Sequence, residues 1–157
     1  MKTALVISDT HGAKAKTAIA VHRYGNVDMI FHLGDYSRDV DYLCTLTKAP
    51  VYSVRGNCDL GSSAEPEIML SIEGVKVLAL HGHKQNVKSS LLTLGLYAQE
   101  KEADIALFGH THMPAEQLYQ GVTLYNPGSL GEPRGGRATV GLLTIEDGTF
   151  RLSTVKL

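Results

Sequence analysis

The sequence predicts an α/β fold in which two mixed β-sheets pack face to face with helices on the outside. Three observations carry that prediction. The first third of the chain alternates strand, helix, strand, helix, strand. The remainder reads mostly as strands joined by tight turns, with one helix among them. Several strands are unbroken apolar runs, the pattern of strands covered on both faces.

Residues 3–8 are a short apolar run rich in branched side chains, and Asp-Thr-His-Gly follows them. Residues 13–24 have helical composition, and Gly25-Asn26 supplies a stop. Residues 28–33 form a second buried strand that runs into Gly34-Asp35. Residues 38–48 suit a helix, with Val40, Leu43, Cys44 and Thr47 along one side and Pro50 ending it. Residues 51–54 make a third strand, followed by Arg55-Gly56-Asn57. This opening implies parallel strands joined by right-handed crossovers. After Asp59 the pattern changes. Residues 67–72 and 75–80 flank Glu73-Gly74, a two-residue hairpin signal. The second of these strands ends in His81-Gly82-His83. Residues 88–101 read as a helix with Leu91, Leu92 and Leu96 on its apolar side, despite Gly95 inside it. Residues 105–108 form a strand ending in Gly109-His110-Thr111-His112. Strands at 117–119, 122–125, 139–145 and 149–155 complete the chain, with turns at Gly121 and Asp147-Gly148 and a Gly- and Pro-rich loop over 126–136. No linker or repeat divides the sequence, so residues 1–157 are expected to form one domain.

Composition narrows the function. Of 157 residues, 43% are hydrophobic and 20% charged, which supplies a core and argues against disorder. Fifteen basic against sixteen acidic side chains leave a net charge of −1. A protein that binds a nucleic-acid duplex through its phosphates carries a basic excess, so no duplex partner is expected. The apolar run before Asp9 is too short for a signal core or a membrane span. Cys44 and Cys58 form no CxxC pair and read as reduced thiols. A cytoplasmic protein without a membrane partner is therefore expected, and a homo-oligomer stays open.

The informative regularity is where the seven histidines and certain Asp and Asn residues fall. Predicted buried strands keep ending in metal-ligand residues: Asp9 and His11, Asp35, Asn57, His81, and then His110 and His112. Sites in α/β proteins gather at the carboxyl ends of the strands. Singly, each signal is weak. Gly34-Asp35 is an ordinary turn dipeptide, Asn57 tolerates a turn conformation, and a histidine at a strand end is often only hydrogen-bonded. The ordered set is what carries the argument. Every member is Asp, Asn or His, which suits Mn, Fe, Zn, Ni or Mg rather than a thiolate-bound structural zinc.

Asp9-x-His11, Gly34-Asp35, Gly56-Asn57, His81 and Gly109-His110-x-His112 occur in the order of the calcineurin-like metallophosphoesterase superfamily. The chain resembles the small bacterial and archaeal phosphodiesterases of that superfamily, nearly end to end, through Asn126-Pro127-Gly128-Ser129. The resemblance implies a four-layer αββα fold and two divalent metal ions (Mn, Ni, Fe, Zn or Mg, with Mn favoured). It places Asp9, His11, Asp35 and His112 on one metal, and Asp35, Asn57, His81 and His110 on the other, with Asp35 bridging. It implies hydrolysis of a small phosphodiester by a hydroxide held between the metals, with Asp35, Asn57 and His81 as catalytic residues and no side-chain nucleophile. His83 is read as supporting the site.

One departure stands out. Many members read Gly-Asn-His-Asp, and here the sequence is Gly56-Asn57-Cys58-Asp59. Cys58 is read as a small buried hydrophobe, which leaves open what protonates the leaving oxygen. Arg38, Arg55, Arg134 and Arg137 are candidate phosphate clamps, because a guanidinium fork matches a phosphate. Arg134, in the Gly-rich loop, is the substrate-binding candidate. Two rival readings remain. A retromer sorting subunit resembles the chain and serves as a non-catalytic scaffold, but its first motif lacks the residue that stands here as His11. The DNA-repair nucleases of the superfamily carry large capping domains for which 157 residues leave no room.

Overall fold

The computed structural model describes residues 1–157. The chain forms two five-stranded sheets. The first comprises β1 (Lys2–Ile7), β2 (Met29–His32), β3 (Val51–Ser53), β9 (Thr139–Glu146) and β10 (Thr149–Lys156), in the order β10-β9-β1-β2-β3. The second comprises β4 (Glu67–Ile72), β5 (Val75–Leu80), β6 (Ile105–Leu107), β7 (Pro114–Tyr119) and β8 (Val122–Pro127), in the order β4-β5-β6-β8-β7. Helices α1 (Lys14–Tyr24) and α2 (Asp39–Leu46) lie in the crossovers of the first sheet, and α3 (Leu92–Glu100) lies between β5 and β6.

The apolar runs are explained by three packed layers of contact. In β1, Ala4 and Val6 face the core between the sheets, with Phe31, Val77, Leu107, Tyr125 and Leu143. The alternate residues Leu5 and Ile7 face the helices, against Ala20, Val21 and Leu43. Leu78, Leu80, Ala106, Phe108 and Leu124 do the same against Leu94 and Ala98 of α3. Both faces of the central strands are buried, so no polar alternation survives in the sequence. The layers run helix, sheet, sheet, helix, as expected.

β1 pairs in parallel with β2, and β2 with β3. In the second sheet β5, β6 and β8 are also parallel. The carboxyl ends meet at one edge. Within the second sheet the Gly109 amide donates to the His81 carbonyl at 3.0 Å, and between the sheets the His110 amide donates to Asp9 Oδ2 at 3.0 Å.

Many boundaries shift from the sequence expectation by one or two residues, and two shift by more. The helix expected from residue 88 begins at Leu92. Before it, Asn86 takes a left-handed conformation (φ 53°), Ser89 Oγ donates to Asn86 Oδ1, and the Leu92 amide donates to Ser90 Oγ. Those local bonds compete with helix formation. β7 begins at Pro114 rather than residue 117, and an edge strand tolerates proline there.

Candidate metal centre

The seven expected ligand residues come together at the shared carboxyl edge. Ligand atoms of Asp9, His11, Asp35 and His112 lie within 4.8 Å of one another, and so do those of Asp35, His81 and His110. Asp35 belongs to both groups. Asn57 adjoins the second, with Oδ1 at 3.0 Å from His81 Nε2. The chain reaches this arrangement through turns that side chains normally resist. Asp9, His11, Asp35, Tyr36, His110 and His112 all have positive φ, and they make up six of the eleven non-glycine residues that do. Clustered left-handed residues mark a backbone held in place by its surroundings, a pattern common at functional sites.

Hydrogen bonds fix how the imidazoles point. His81 Nδ1–H donates to the Leu33 carbonyl at 2.7 Å, and His112 Nδ1–H to the Glu132 carbonyl at 2.8 Å. Each ring therefore turns Nε2 inward. His81 Nε2 meets Asn57 Oδ1, then Asp35 Oδ2 at 3.5 Å and Asp9 Oδ1 at 3.8 Å. His110 Nδ1 stands 3.2 Å from the same nitrogen. His11 Nε2 lies 3.6 Å from Asp35 Oδ2 and 3.8 Å from Asp9 Oδ1. Asp9 Oδ1 and His11 Nε2 are buried and have no hydrogen-bond partner. Buried polar atoms without partners are costly. With the imidazoles neutral, acceptors converge on acceptors, and a cation relieves that arrangement. The donor set of carboxylate, imidazole and one amide oxygen fits a divalent transition metal.

The electrostatics agree. Burial alone would raise the Asp9 carboxyl, but His11, His112 and His81 outweigh it and hold it well below the usual carboxylate range. Burial opposes ionisation of Asp35 too, yet His81 and the Cys58 amide bring it to about 2. Asp9 raises His11. His81 is raised against its own burial by Asp35 and Asp9. His110 goes the other way, lowered to about 4 by burial and by His81 beside it. Two carboxylates thus stay ionised among imidazoles, and protons and metal ions compete for the same inward lone pairs.

Surrounding residues hold the loops in register, and most of them stand in the segments that carry the sequence resemblance. Asp59 accepts the Ser37 amide at 2.7 Å and the Gly56 amide at 2.8 Å, tying the Asp35 loop to the Asn57 loop. Ser129 Oγ donates to the Asp9 carbonyl at 2.8 Å, and Asn126 Nδ2 to the Gly109 carbonyl at 3.0 Å. Gly56 and Gly109 are required by close approach. A Cβ on Gly56 would collide with Asp35 Oδ1, and one on Gly109 with Ser8 Oγ and Asp9 Oδ2.

The remaining candidates are dispersed. Cys58 is exposed, which corrects the expectation of a buried hydrophobe. With His11, Tyr36 and Arg38 it lines an open cavity of about 910 Å³ beside the centre. Partial burial and the carboxylate of Asp35 push its thiol up to about 11. The Arg38 guanidinium lies 4.3 Å over the Tyr36 ring. Arg55 shares a smaller cavity with Asn57 and His83. Arg137 lines a separate cleft with Lys16 and Arg23, away from the centre. Arg134 is exposed, and its amide donates to the His112 carbonyl at 3.0 Å. His83 stacks 5.4 Å from His81 with Nδ1 buried and unpartnered, outside both ligand groups.

Residues 1–148 match the calcineurin-like phosphoesterase superfamily domain. The chain is 33% identical over 145 residues to the probable metallophosphoesterase YsnB of Bacillus subtilis, covering 91% of this chain and 84% of that protein. It is 28% identical over 163 residues to the phosphodiesterase MJ0936 of Methanocaldococcus jannaschii, covering 93% and 95%. The crystal structure of a predicted phosphoesterase from Streptococcus pneumoniae superposes with a TM-score of 0.84 at 30% identity, covering 99% of this chain and 89% of that one.

Proposed function

Because the chain belongs to the calcineurin-like phosphoesterase superfamily, we propose that it is a dinuclear-metal phosphodiesterase acting on small phosphodiesters, with residues 1–157 working as one domain. The observation that carries this reading is the pair of ligand clusters sharing Asp35, in which Asp9 Oδ1 and His11 Nε2 lack partners. Asp9, His11, Asp35 and His112 would hold one divalent ion, and Asp35, Asn57, His81 and His110 the other, with manganese favoured. Such ions supply Lewis acidity to the phosphoryl oxygens and lower the pKa of water towards neutrality.

The protein's own residues do the rest. Asp35 is kept ionised, and its Oδ1 accepts the Cys58 amide at 2.9 Å, so Oδ2 is left facing His11 and His81. The Leu33 and Glu132 carbonyls keep two imidazoles in the inward tautomer. Asn57 contributes a neutral oxygen, which limits the charge gathered at the centre. Arg134, whose amide bonds to the His112 carbonyl, is the candidate for binding a phosphoryl oxygen. The open cavity beside His11 offers room for the organic group of a diester. The similarity to a protein named phosphodiesterase supports the diester preference. No helix is long and apolar enough to cross a membrane, and both cysteines are free and exposed, which supports a cytoplasmic setting.

Metal analysis of purified protein, combined with an aryl phosphodiester assay in Mn, Ni and Mg, tests the reading. Two ions per chain and hydrolysis abolished by chelation are expected. Inertness towards activated esters in every metal would leave the fold as a scaffold.

A further inference from the structure

The backbone ladder between β1 and β2 ends at the metal centre. Its last bonds run from the Leu33 amide to the Ile7 carbonyl at 2.9 Å and from the Asp9 amide to the Gly34 carbonyl at 3.0 Å. Past that point the Asp9–His11 turn and the Asp35 turn are joined by buried side chains. His32 and Thr10 are fully buried, and Asp39, in the first turn of α2, is 6% exposed.

These three side chains form a hydrogen-bond chain whose direction is fixed at both ends. The Gly34 amide can only donate, and it meets His32 Nδ1 at 3.3 Å. The proton of a neutral His32 therefore sits on Nε2, which donates to Thr10 Oγ1 at 3.0 Å. The single proton of that hydroxyl goes to Asp39 Oδ2 at 2.7 Å. The same carboxylate oxygen accepts the Gly12 amide at 2.8 Å. Burial pushes His32 towards its neutral form, the form that the chain requires. The chain thus runs from the backbone of the Asp35 turn, through a strand and a loop, to the backbone just past His11. An apolar filling of the same space would pack the strands equally well and would leave both turns free to drift.

We propose that Thr10, His32 and Asp39 are positioning residues that set the metal affinity of the centre, although none of them belongs to either ligand cluster. The proposal rests on the metal-dependent reading above. Groups that orient ligands from behind typically contribute about 10–100-fold in metal affinity.

Manganese binding to the full chain, read by isothermal titration calorimetry beside the melting temperature of the metal-free protein, tests it. Thr10→Val keeps the shape and breaks the chain, so it should weaken manganese binding by about 10–100-fold. Thr10→Ser keeps the hydroxyl and should stay within about threefold of the wild type, since its hydrogen bonds remain. A merely structural role predicts a lower melting temperature for Thr10→Val with unchanged affinity, and that result would overturn the proposal alone. Asp39→Asn keeps an acceptor and removes the charge, so it serves if Thr10→Val does not fold. A loss of at least about fivefold is expected there because charge-assisted bonds are the stronger ones, and equal affinity counts against the proposal. If the wild type itself binds none of manganese, nickel, iron, zinc and magnesium, the metal-dependent reading falls and takes this one with it.

Discussion

Asp9 Oδ1 and His112 Nε2 stand 3.2 Å apart as two acceptors. The proton of a neutral His112 is committed to the Glu132 carbonyl on the far side of the ring. The carboxylate oxygen has no donor, and Asp9 is fully buried. The fold has spent stability on assembling these groups, and a bound cation should return it.

The first prediction follows. A ligand that binds only the native state at a hundred times its Kd stabilises by about 2.7 kcal/mol. At roughly 2–4 °C per kcal/mol for a domain of this size, manganese or zinc should raise the melting temperature by ~5–10 °C. Differential scanning calorimetry with and without chelator measures it. A melting temperature indifferent to metal would mean that these acceptors find relief elsewhere.

Gly56 tests the bridging carboxylate. Its absent Cβ is what lets Asp35 approach the Asn57 turn, because any side chain there would collide with Asp35 Oδ1. Gly56→Ala should displace the carboxylate shared by both clusters. The expected loss in metal affinity is about 10–100-fold at both positions, read as a fall in bound metal after dialysis. Gly136→Ala is the control for the added methyl group, since its φ, like that of Gly56, is not positive and nothing lies near its Cβ.

Proton release gives a third test. Metal ligands must shed their protons to bind. His11 and His81 are raised above the ordinary 6.5, so both carry protons in metal-free protein at and somewhat above that pH. His110, lowered to about 4, and the ionised Asp9 and Asp35 carry none there. Metal affinity therefore falls on acidification through the raised histidine values, and binding near pH 6 expels the protons that His11 and His81 carry. Calorimetry in buffers of different ionisation enthalpy counts them. The count should shrink towards zero as the pH rises well above those values.

The ligands were legible because each follows a strand, all but β3 buried in large part, and strand ends meet at one edge. Asp9, Asp35 and His81 could be placed with no knowledge of contacts. The residues that hold them could not. Thr10, His32 and Asp39 lie 22 to 29 positions apart in the pairs that bond. Only the β1–β2 register, which sets Ile7 opposite His32, brings them together. His32 sits inside an apolar run and reads as an isolated core histidine. Cys58 was misread for a related reason. Free cysteine is usually buried, but the turn that aims Asn57 at His81 leaves the next side chain facing the cavity.

That exposed thiol supports the last prediction. Cys58 stands where the sequence resemblance leads one to expect a histidine, and a thiol pushed up to about 11 stays protonated and weakly acidic at neutral pH. It lines the cavity with His11 and Tyr36 but is a poor proton donor to a departing oxygen. An aryl oxide leaves without a proton, whereas an alkoxide needs a proton or a cation. Rates should therefore fall steeply as the leaving group becomes more basic. Cys58→Ser should leave turnover of an activated aryl ester within a few-fold. Cys58→His should speed esters with basic leaving groups more than good ones. General acid assistance is worth roughly 10²–10⁴-fold when well placed, so the gain should be visible even with imperfect geometry. The measurement is the slope of log rate against leaving-group pKa for both proteins, with metal content confirmed equal. A shallower slope in Cys58→His assigns position 58 to leaving-group departure, and an identical slope removes it from that step.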